Sequence, residues 1–400
     1  MGKHRQEKGA VSLFIVIFAA LLITVITVGF VRLMLTDQQQ ASTNDLSQSA
    51  LDSAQAGVED GKRALLRYQN VCATGDVAAC SQAYTDIIGG GVCNQGLVHI
   101  IDSASLAANE VKVQQSAGDI ALNQAYTCVK IQTQTPNYLG TLSANASAIV
   151  PIRSQSSVTS VLVQWYDSKD ISNNNLDVSL LPMASIPVGG NPAALRPPLY
   201  NQTATGWGPD RPSVMRTQLM QFGSTFSETD FDATNNVGQS NANTVFLYPT
   251  GTKGTVNSSV TNVPFTSKDS RLTAGGVPVP VSCSGNLGGG GYACSVKLDL
   301  PVPINAGSAT GFLRLSALYN ASDYSVTLFS GATQVQFDNV QPSIDSTGRA
   351  NDLYRRVSTR VTLTDSSFIY PEAAVDLTGN FCKNFVVTDK TTDYSNSCTP

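Results

Sequence analysis

The feature that most constrains this chain is an uninterrupted apolar stretch near its N-terminus. Ala10–Val31 carries no charged side chain, and most of its residues are Val, Leu, Ile or Phe. As a helix rising about 1.5 Å per residue, the stretch spans about 33 Å, the thickness of a bilayer core. Each large apolar residue favours insertion by about 0.3–0.6 kcal/mol, which sums to roughly 5–9 kcal/mol. The sequence therefore predicts a transmembrane helix, which we place at 10–34.

Charges on either side of this helix predict its orientation. Lys3, Arg5 and Lys8 precede it against the single acid Glu7. Positive flanks stay in the cytoplasm, so we expect a single-pass membrane protein whose bulk is extracytoplasmic. A cleaved secretory signal is the alternative. However, the apolar run is about twice the usual 7–15 residues, and no A-x-A site follows it.

The helix is predicted to continue beyond the membrane. No proline occurs between Arg32 and Tyr68, and apolar or small residues recur at alternating spacings of three and four. This pattern predicts an amphipathic extension over 35–69, packed either on the chain's own domain or on another subunit. Its apolar face carries Leu51, Ala54, Val58, Gly61, Leu65 and Tyr68, flanked by the small residues Ser47, Ala50, Ser53, Ala56 and Gly57.

The remainder of the chain is predicted to be rich in strands. Residues 70–135 form a Cys-containing mixed segment, and 136–400 contain many β-rich or alternating runs. The Pro- and Gly-rich stretch 187–212 is either a boundary between two β lobes or a long loop. Asn320–Asp323 is predicted as a hairpin turn. The expected fold class is α+β: a long N-terminal helix followed by a large, mostly antiparallel β domain.

Eight cysteines support an oxidising compartment. Their number is even and none stands in a CxxC spacing, a pattern that indicates disulfides rather than zinc ligands. Proximity along the chain favours pairing of near neighbours, although Cys80 and Cys93 could exchange partners. The favoured pairs are Cys72–Cys80, Cys93–Cys128, Cys283–Cys294 and Cys382–Cys398.

Few residues suggest chemistry. The net charge of −4 and the absence of Lys/Arg clusters argue against nucleic-acid binding. The chain has two histidines, and no Gly-x-Ser-x-Gly elbow surrounds a serine, so we predict no enzymatic activity and no catalytic residues. The acidic loops 170–177 and 228–232 lack the glycine and terminal Glu of an EF-hand, and we predict no metal or cofactor. Trp165 is predicted in the core, and Trp207 as an exposed binding aromatic.

The N-terminal part of the chain, as far as Tyr68, carries most of a resemblance to a known family. Lys8-Gly9 followed by Ala10 resembles a prepilin-peptidase site, and Gln48–Glu59 is similar to a segment of PilX-type minor pilins. Late in the chain, Ile344–Ala350 and Tyr354–Val361 resemble strands of the same group. The chain therefore resembles type IV pilins and pseudopilins. Within that family it is most similar to minor pilins lacking the fifth-position Glu.

The resemblance implies a processing step and a set of partners. Prepilin peptidase would cut after Gly9, leaving Ala10 as the new N-terminus, and Cys382–Cys398 would close a C-terminal loop. The implied partners are other pilin subunits, the pilus assembly machinery and the membrane. The helix would assemble through positions that include Phe14, Leu51, Ala54, Val58 and Leu65. The alternative is a membrane-anchored surface protein or adhesin that does not polymerise. No ligand of the β domain is specified.

Two positions depart from most pilins. Ala10 stands where Phe or Met is usual, and Phe14 stands where Glu is usual. In such filaments, the resemblance implies, this Glu pairs with the N-terminal amine of the subunit above. Without this Glu, the subunit cannot neutralise the N-terminal amine of a subunit above it, but its own amine at Ala10 can still pair with the Glu of a subunit below. This asymmetry predicts a place at the filament tip.

Overall fold

In a computed structural model, the chain begins with one continuous helix, α1 (Gly9–Ala73), of 65 residues. No proline interrupts it, and Gly75, with a left-handed φ of 80°, follows its end as a cap. The Asp76 carboxylate then accepts hydrogen bonds from the backbone N–H groups of Ala78 and Ala79 and so starts α2 (Val77–Ile88). The structure describes residues 9–88, 92–101, 110–113, 123–180, 207–221, 242–251, 262–268 and 278–363.

The strands of the described residues follow the helices, and a short helix, α3 (Phe265–Lys268), lies among them. The strands are β1 (Val111–Lys112), β2 (Gln124–Thr135), β3 (Tyr138–Leu142), β4 (Ser147–Pro151), β5 (Val158–Asp167), β6 (Val214–Gln221), β7 (Ala242–Thr250), β8 (Asn262–Pro264), β9 (Val279–Ser282), β10 (Tyr292–Ile304), β11 (Gly311–Leu318), β12 (Ser322–Ser330), β13 (Thr333–Val335), β14 (Phe337–Ala350) and β15 (Leu353–Arg360).

The first sheet, in the order β1-β2-β14-β15, is antiparallel throughout. It brings the early strand β2 beside the late hairpin β14–β15. Both α1 and α2 contribute to the core built on this sheet, where Val58 and Leu65 of α1 lie buried with Tyr126, Val129 and Ile344. The helix and the sheet therefore depend on each other for burial of their apolar faces.

The other two sheets share one core. One has the order β13-β12-β5-β10-β8, with β3 also paired to β12, and the other has the order β4-β11-β6-β7-β9. Inward residues from both sheets form a single buried cluster, in which Trp165 is fully buried as predicted. Among the described strand pairs, β8–β10 and β7–β9 are parallel and the rest antiparallel. The chain thus has one long apolar N-terminal helix followed by a mostly antiparallel β domain.

Strands that precede 187–212 in the chain pair, within these two sheets, with strands that follow it. The strand β4 pairs with β11, and β5 lies between β10 and β12. Of the stretch itself, 187–206 lies outside the described residues.

The prediction of a hairpin turn at Asn320–Asp323 is wrong. The strands on either side, β11 and β12, belong to different sheets, so the segment is a corner between layers. Tyr319 takes a left-handed φ of 78°, and the Asn320 side chain donates hydrogen bonds to the carbonyls of Gly208 and Arg211. These distant contacts turn the chain away from β11.

Candidate functional site: the N-terminal helix

The N-terminal half of α1 presents a large exposed apolar surface. Every large hydrophobic residue from Leu13 to Leu35 is between 49% and 72% exposed. Its most apolar window has a mean hydropathy of 2.9 and is 0% buried. In the described part of the chain, this is the one helix long and apolar enough to cross a membrane. Contiguous apolar surface of this extent requires lipid or other protein around it.

Two threonine hydroxyls within this half are satisfied by the helix itself. The Thr24 hydroxyl donates to the Ala20 carbonyl at 2.7 Å, and the Thr27 hydroxyl donates to the Ile23 carbonyl at 2.8 Å. Neither hydroxyl requires water or a partner helix. This arrangement suits an environment that offers no hydrogen bonds, because an unsatisfied polar group there costs several kcal/mol.

The C-terminal half of α1 is clasped by its own sheet. A Cβ built on Gly348 of β14 would lie 2.2 Å from the Ala50 carbonyl oxygen and 2.2 Å from the Ala54 nitrogen. A Cβ on Gly57 would lie 2.4 Å from the Ser346 hydroxyl, and one on Gly61 would lie 2.8 Å from Ile344. The small residues of the helix are therefore used for close approach of β14. We call this contact, formed by Ala50–Gly61 with Ile344–Gly348, the helix–strand clasp.

The predicted assembly residues divide between the two halves. Ala54 and Leu65 are fully buried and Val58 is 6% exposed, all within the chain's own core. Leu51 is half-buried, and Phe14 is 72% exposed. Any extensive apolar contact of α1 with another molecule therefore falls on the half that contains Phe14. Of the predicted processing site, Gly9 and Ala10 form the first residues of α1, and the leader before them lies outside the described residues.

Three of the four predicted disulfides are present. Cys72 pairs with Cys80, joining the end of α1 to α2, and Cys93 pairs with Cys128 on β2. The exchange of partners between Cys80 and Cys93 that the sequence left open does not occur. Cys283 pairs with Cys294 and closes the glycine-rich loop. Cys382 and Cys398 lie outside the described residues.

His99 has a partner that sequence reasoning missed. Its Nε2 lies 2.9 Å from Oδ2 of Asp86 on α2, and both side chains are partly exposed. Hydrogen bonds from Gln82 and His99 hold the pKa of the Asp86 carboxyl below its usual range. The pairing depends on how the loop after α2 folds back. Spacing along the chain gave no signal of it.

The acidic loop at 170–177 uses its carboxylates internally. Both oxygens of Asp170 accept from the Asp323 backbone N–H, and Oδ2 also accepts from that of Asp167. Asp177 accepts from the Asn286 side chain at 2.7 Å. Burial raises the pKa of Asp170 to about 6. No group of three or more His, Cys, Asp or Glu in the described part of the chain could hold a metal ion, and 228–232 lies outside that part.

The prediction that Trp207 is an exposed binding aromatic is wrong. Its side chain is 3% exposed, and its ring stacks on that of Tyr319 with centroids 4.7 Å apart. The indole Nε1 donates to the Pro212 carbonyl, and the Arg211 guanidinium lies over the ring. The Gly-rich surroundings suggested an exposed loop, but the rings of Tyr248 on β7 and Tyr319 after β11 cover the tryptophan and bury it.

Compared with known protein families, curated proteins and solved structures, the chain has no match. Its geometry and sequence therefore carry the functional argument alone.

Proposed function

We propose that this chain is a minor pilin-like subunit of a bacterial type IV pilus or related filament. The observation that carries the proposal is the division of α1 into two halves with opposite surroundings. The half up to Leu35 is apolar and exposed, whereas the half around Ala54 and Leu65 is buried by its own β domain. A helix divided in this way can leave lipid and pack among neighbouring helices without disturbing the domain that it carries.

The proposed environment of the exposed half changes once during assembly. In the membrane, lipid covers its Val, Leu, Ile and Phe side chains, and in the filament other helices replace the lipid. Exposing apolar surface to water costs about 25 cal/mol per Å². Because both proposed environments are apolar, transfer from one to the other costs far less than that. The subunit's own helix–strand clasp is unaffected, because its residues lie beyond the membrane.

The proposal includes an orientation and a processing step. Lys3, Arg5 and Lys8 would keep the N-terminus in the cytoplasm, with the disulfide-bonded β domain outside. Prepilin peptidase would cut between Gly9 and Ala10. Because Phe14 supplies no carboxylate for the amine of a subunit above, the proposed position is the filament tip. An unpaired amine buried in the bundle would cost several kcal/mol.

The second candidate is a membrane-anchored surface protein that never polymerises. Its support is the use of the helix's small residues inside the subunit, since Gly57 and Gly61 contact β14 rather than remaining free for another copy. Ala10 and Phe14, which depart from most pilins, are also compatible with a permanent anchor.

The deciding experiment examines sheared filaments and membranes of the producing cells. The pilus proposal predicts the protein in filaments with Ala10 as its N-terminus by mass spectrometry, and immunogold labels at one filament end. Gly9→Val should block processing, whereas Gly289→Val is the control, since it lies outside α1 and nothing lies within 4 Å of a Cβ built there. Recovery only from membranes, with the leader intact, would refute the pilus proposal and favour the anchor. Labels along the shaft would refute only the tip position.

A further inference from the structure

A groove lies where the end of α1, the start of α2 and the beginning of β14 meet. Its volume is about 350 Å³, and its lining includes Tyr68, Tyr84, Arg153 and Asp338. The Cys72–Cys80 disulfide also lines it and joins the two helices that form one side. Neither the exposed half of α1 nor the helix–strand clasp uses this groove.

Two tyrosines form an aromatic wall. The rings of Tyr68 and Tyr84 have centroids 6.1 Å apart and an interplanar angle of 47°. The Tyr84 hydroxyl accepts a hydrogen bond from Nε2 of Gln155 at 3.0 Å, which fixes its ring from outside the groove. The ring of Tyr84 is thus preorganised, and a rigid aromatic face binds a flat apolar surface at little entropic cost.

The polar wall offers the guanidinium of Arg153, whose hydrogen-bonding capacity is largely unused by the residues that the structure describes. Among the described residues, the one ionic contact of the Arg153 side chain is Nε to Oδ2 of Asp338, at 4.0 Å. This is too long for a hydrogen bond, and the Arg153 side chain is 40% exposed. Asp338 is nearly buried, and its other oxygen accepts from Gln155 at 3.3 Å.

Asn339 adds an amide beside this pair. Its Oδ1 is buried and has no hydrogen-bond partner in the described part of the chain, and its backbone takes a left-handed φ of 56°. The register between β14 and β2 shifts between Asp338 and Ser343, directly after the groove. Such irregularities in a strand redirect side chains and are over-represented next to functional sites.

The geometry points to a carbohydrate-binding site, and we propose that the groove holds a neutral pyranose ring. A sugar hydroxyl can accept from the exposed part of the Arg153 guanidinium and donate to the carboxylate of Asp338. The apolar face of its ring can pack on a tyrosine. A phosphate or carboxylate ligand fits less well, because Asp338 and Asp76 both line the groove and would repel it. The volume is at the lower end of small-molecule sites, which suits one or two sugar units.

The test uses the full-length protein in phosphatidylcholine nanodiscs, since glycoside detergents would compete. Binding is measured by saturation-transfer NMR and calorimetry with the methyl glycosides of glucose, galactose, mannose and N-acetylglucosamine. Inorganic phosphate is the anionic probe. We expect at least one glycoside to bind and phosphate not to bind. Arg153→Gln should weaken binding roughly tenfold or more, because a charge-assisted hydrogen bond is lost.

Two further variants keep the test decisive. Tyr84→Leu keeps an apolar side chain but removes the aromatic face, and it should also weaken glycoside binding. This variant therefore tests the proposal even where Arg153→Gln does not fold. The matched control is Arg63→Gln, since Arg63 lies exposed on the same helix as Tyr68 and pairs with Asp60 away from the groove. The affinity of the Arg63→Gln variant for the glycoside should equal that of the wild type. Absence of glycoside binding, equal binding by Arg153→Gln and the wild type, or binding of phosphate alone would each overturn the proposal. None of these results bears on filament assembly.

Discussion

The helix–strand clasp gives the sharpest stability prediction, through the substitution Gly348→Ala. The added Cβ would meet the Ala50 oxygen and the Ala54 nitrogen at 2.2 Å, whereas ordinary contact begins at 3.4 Å. Both opposing atoms are backbone, so no side chain can rotate away. The helix and strand must therefore separate by roughly 1 Å, a gap that forfeits up to about half of the dispersion energy along the contact.

The expected loss of stability follows from this separation. Overpacking costs about 1–3 kcal/mol where neighbours can adjust, and here the core around Val58 and Leu65 also loosens. We expect Gly348→Ala to lower the free energy of unfolding by about 3 kcal/mol. That is a large fraction of the roughly 5–15 kcal/mol typical of a folded protein. The measurement is urea unfolding in nanodiscs, followed by circular dichroism.

Hydrogen exchange and two comparison variants locate the effect. Amides of α1 opposite β14 should exchange faster in Gly348→Ala, whereas those of β5 and β10 should not. Gly57→Ala should cost less, because its three nearest neighbours, in Ser346, Val129 and Tyr126, are side-chain atoms rather than backbone. Gly289→Ala is the control, with nothing within 4 Å of its Cβ. If Gly348→Ala and Gly289→Ala unfold at the same urea concentration, the close contact is absent and the reasoning fails.

Three further predictions concern the disulfides, pH and membrane insertion. Replacing Cys93 and Cys128 by Ser should cost about 4 kcal/mol of unfolding free energy, and replacing Cys283 and Cys294 about 3 kcal/mol, because the first pair closes the longer loop; equal urea midpoints would contradict this order. The pKa of Asp170 is raised from 3.8 to about 6, so the folded state binds its proton more tightly and stability falls as pH rises through this range. Asp170→Asn should remove that fall in urea midpoints measured from pH 4 to 8, and parallel profiles would refute it. Leu22→Asp with Ile26→Asp should add roughly 6 kcal/mol to insertion and release protein from membranes on fractionation. The control pair Leu66→Asp with Val77→Asp, also at exposed apolar positions, should not, and equal release by both pairs would contradict a membrane role specific to the N-terminal half.

Local patterns in the sequence predicted the elements better than their arrangement. The apolar run and the absence of proline sufficed for α1, because helix continuity and lipid-compatible composition are local properties. Strands such as β5 and β11 were also predictable from alternation. The pairing of β2 with β14, which lie far apart along the chain, was not, since nothing in either strand specifies its neighbour. Gly348 gave no sequence signal either: its importance exists only when α1 lies against it.

For the candidate sites, too, local features could be predicted from the sequence and contacts between distant segments could not. The exposed half of α1 could be predicted from composition, because an apolar surface needs an apolar environment whatever the fold around it. Burial of Trp207 and pairing of His99 with Asp86 could not be predicted, because each depends on how a loop lies against other parts of the chain. The groove joins Tyr68 and Tyr84 to Arg153 and Asp338, although long stretches of chain separate them. Its residues are brought together by the fold alone.

The continuity of α1 relates the groove to the membrane. Thr36–Asp45 is mostly polar and is exposed from the described part of the β domain, and it forms a helical stalk about 15 Å long. From Leu35 at the end of the apolar half to Tyr68 at the groove, the helix axis rises about 50 Å. A ligand bound there would be held well away from the bilayer. Both proposed functions place the β domain outside the cell, where a groove at that distance from the membrane could reach a ligand, so the proposed carbohydrate site is compatible with both.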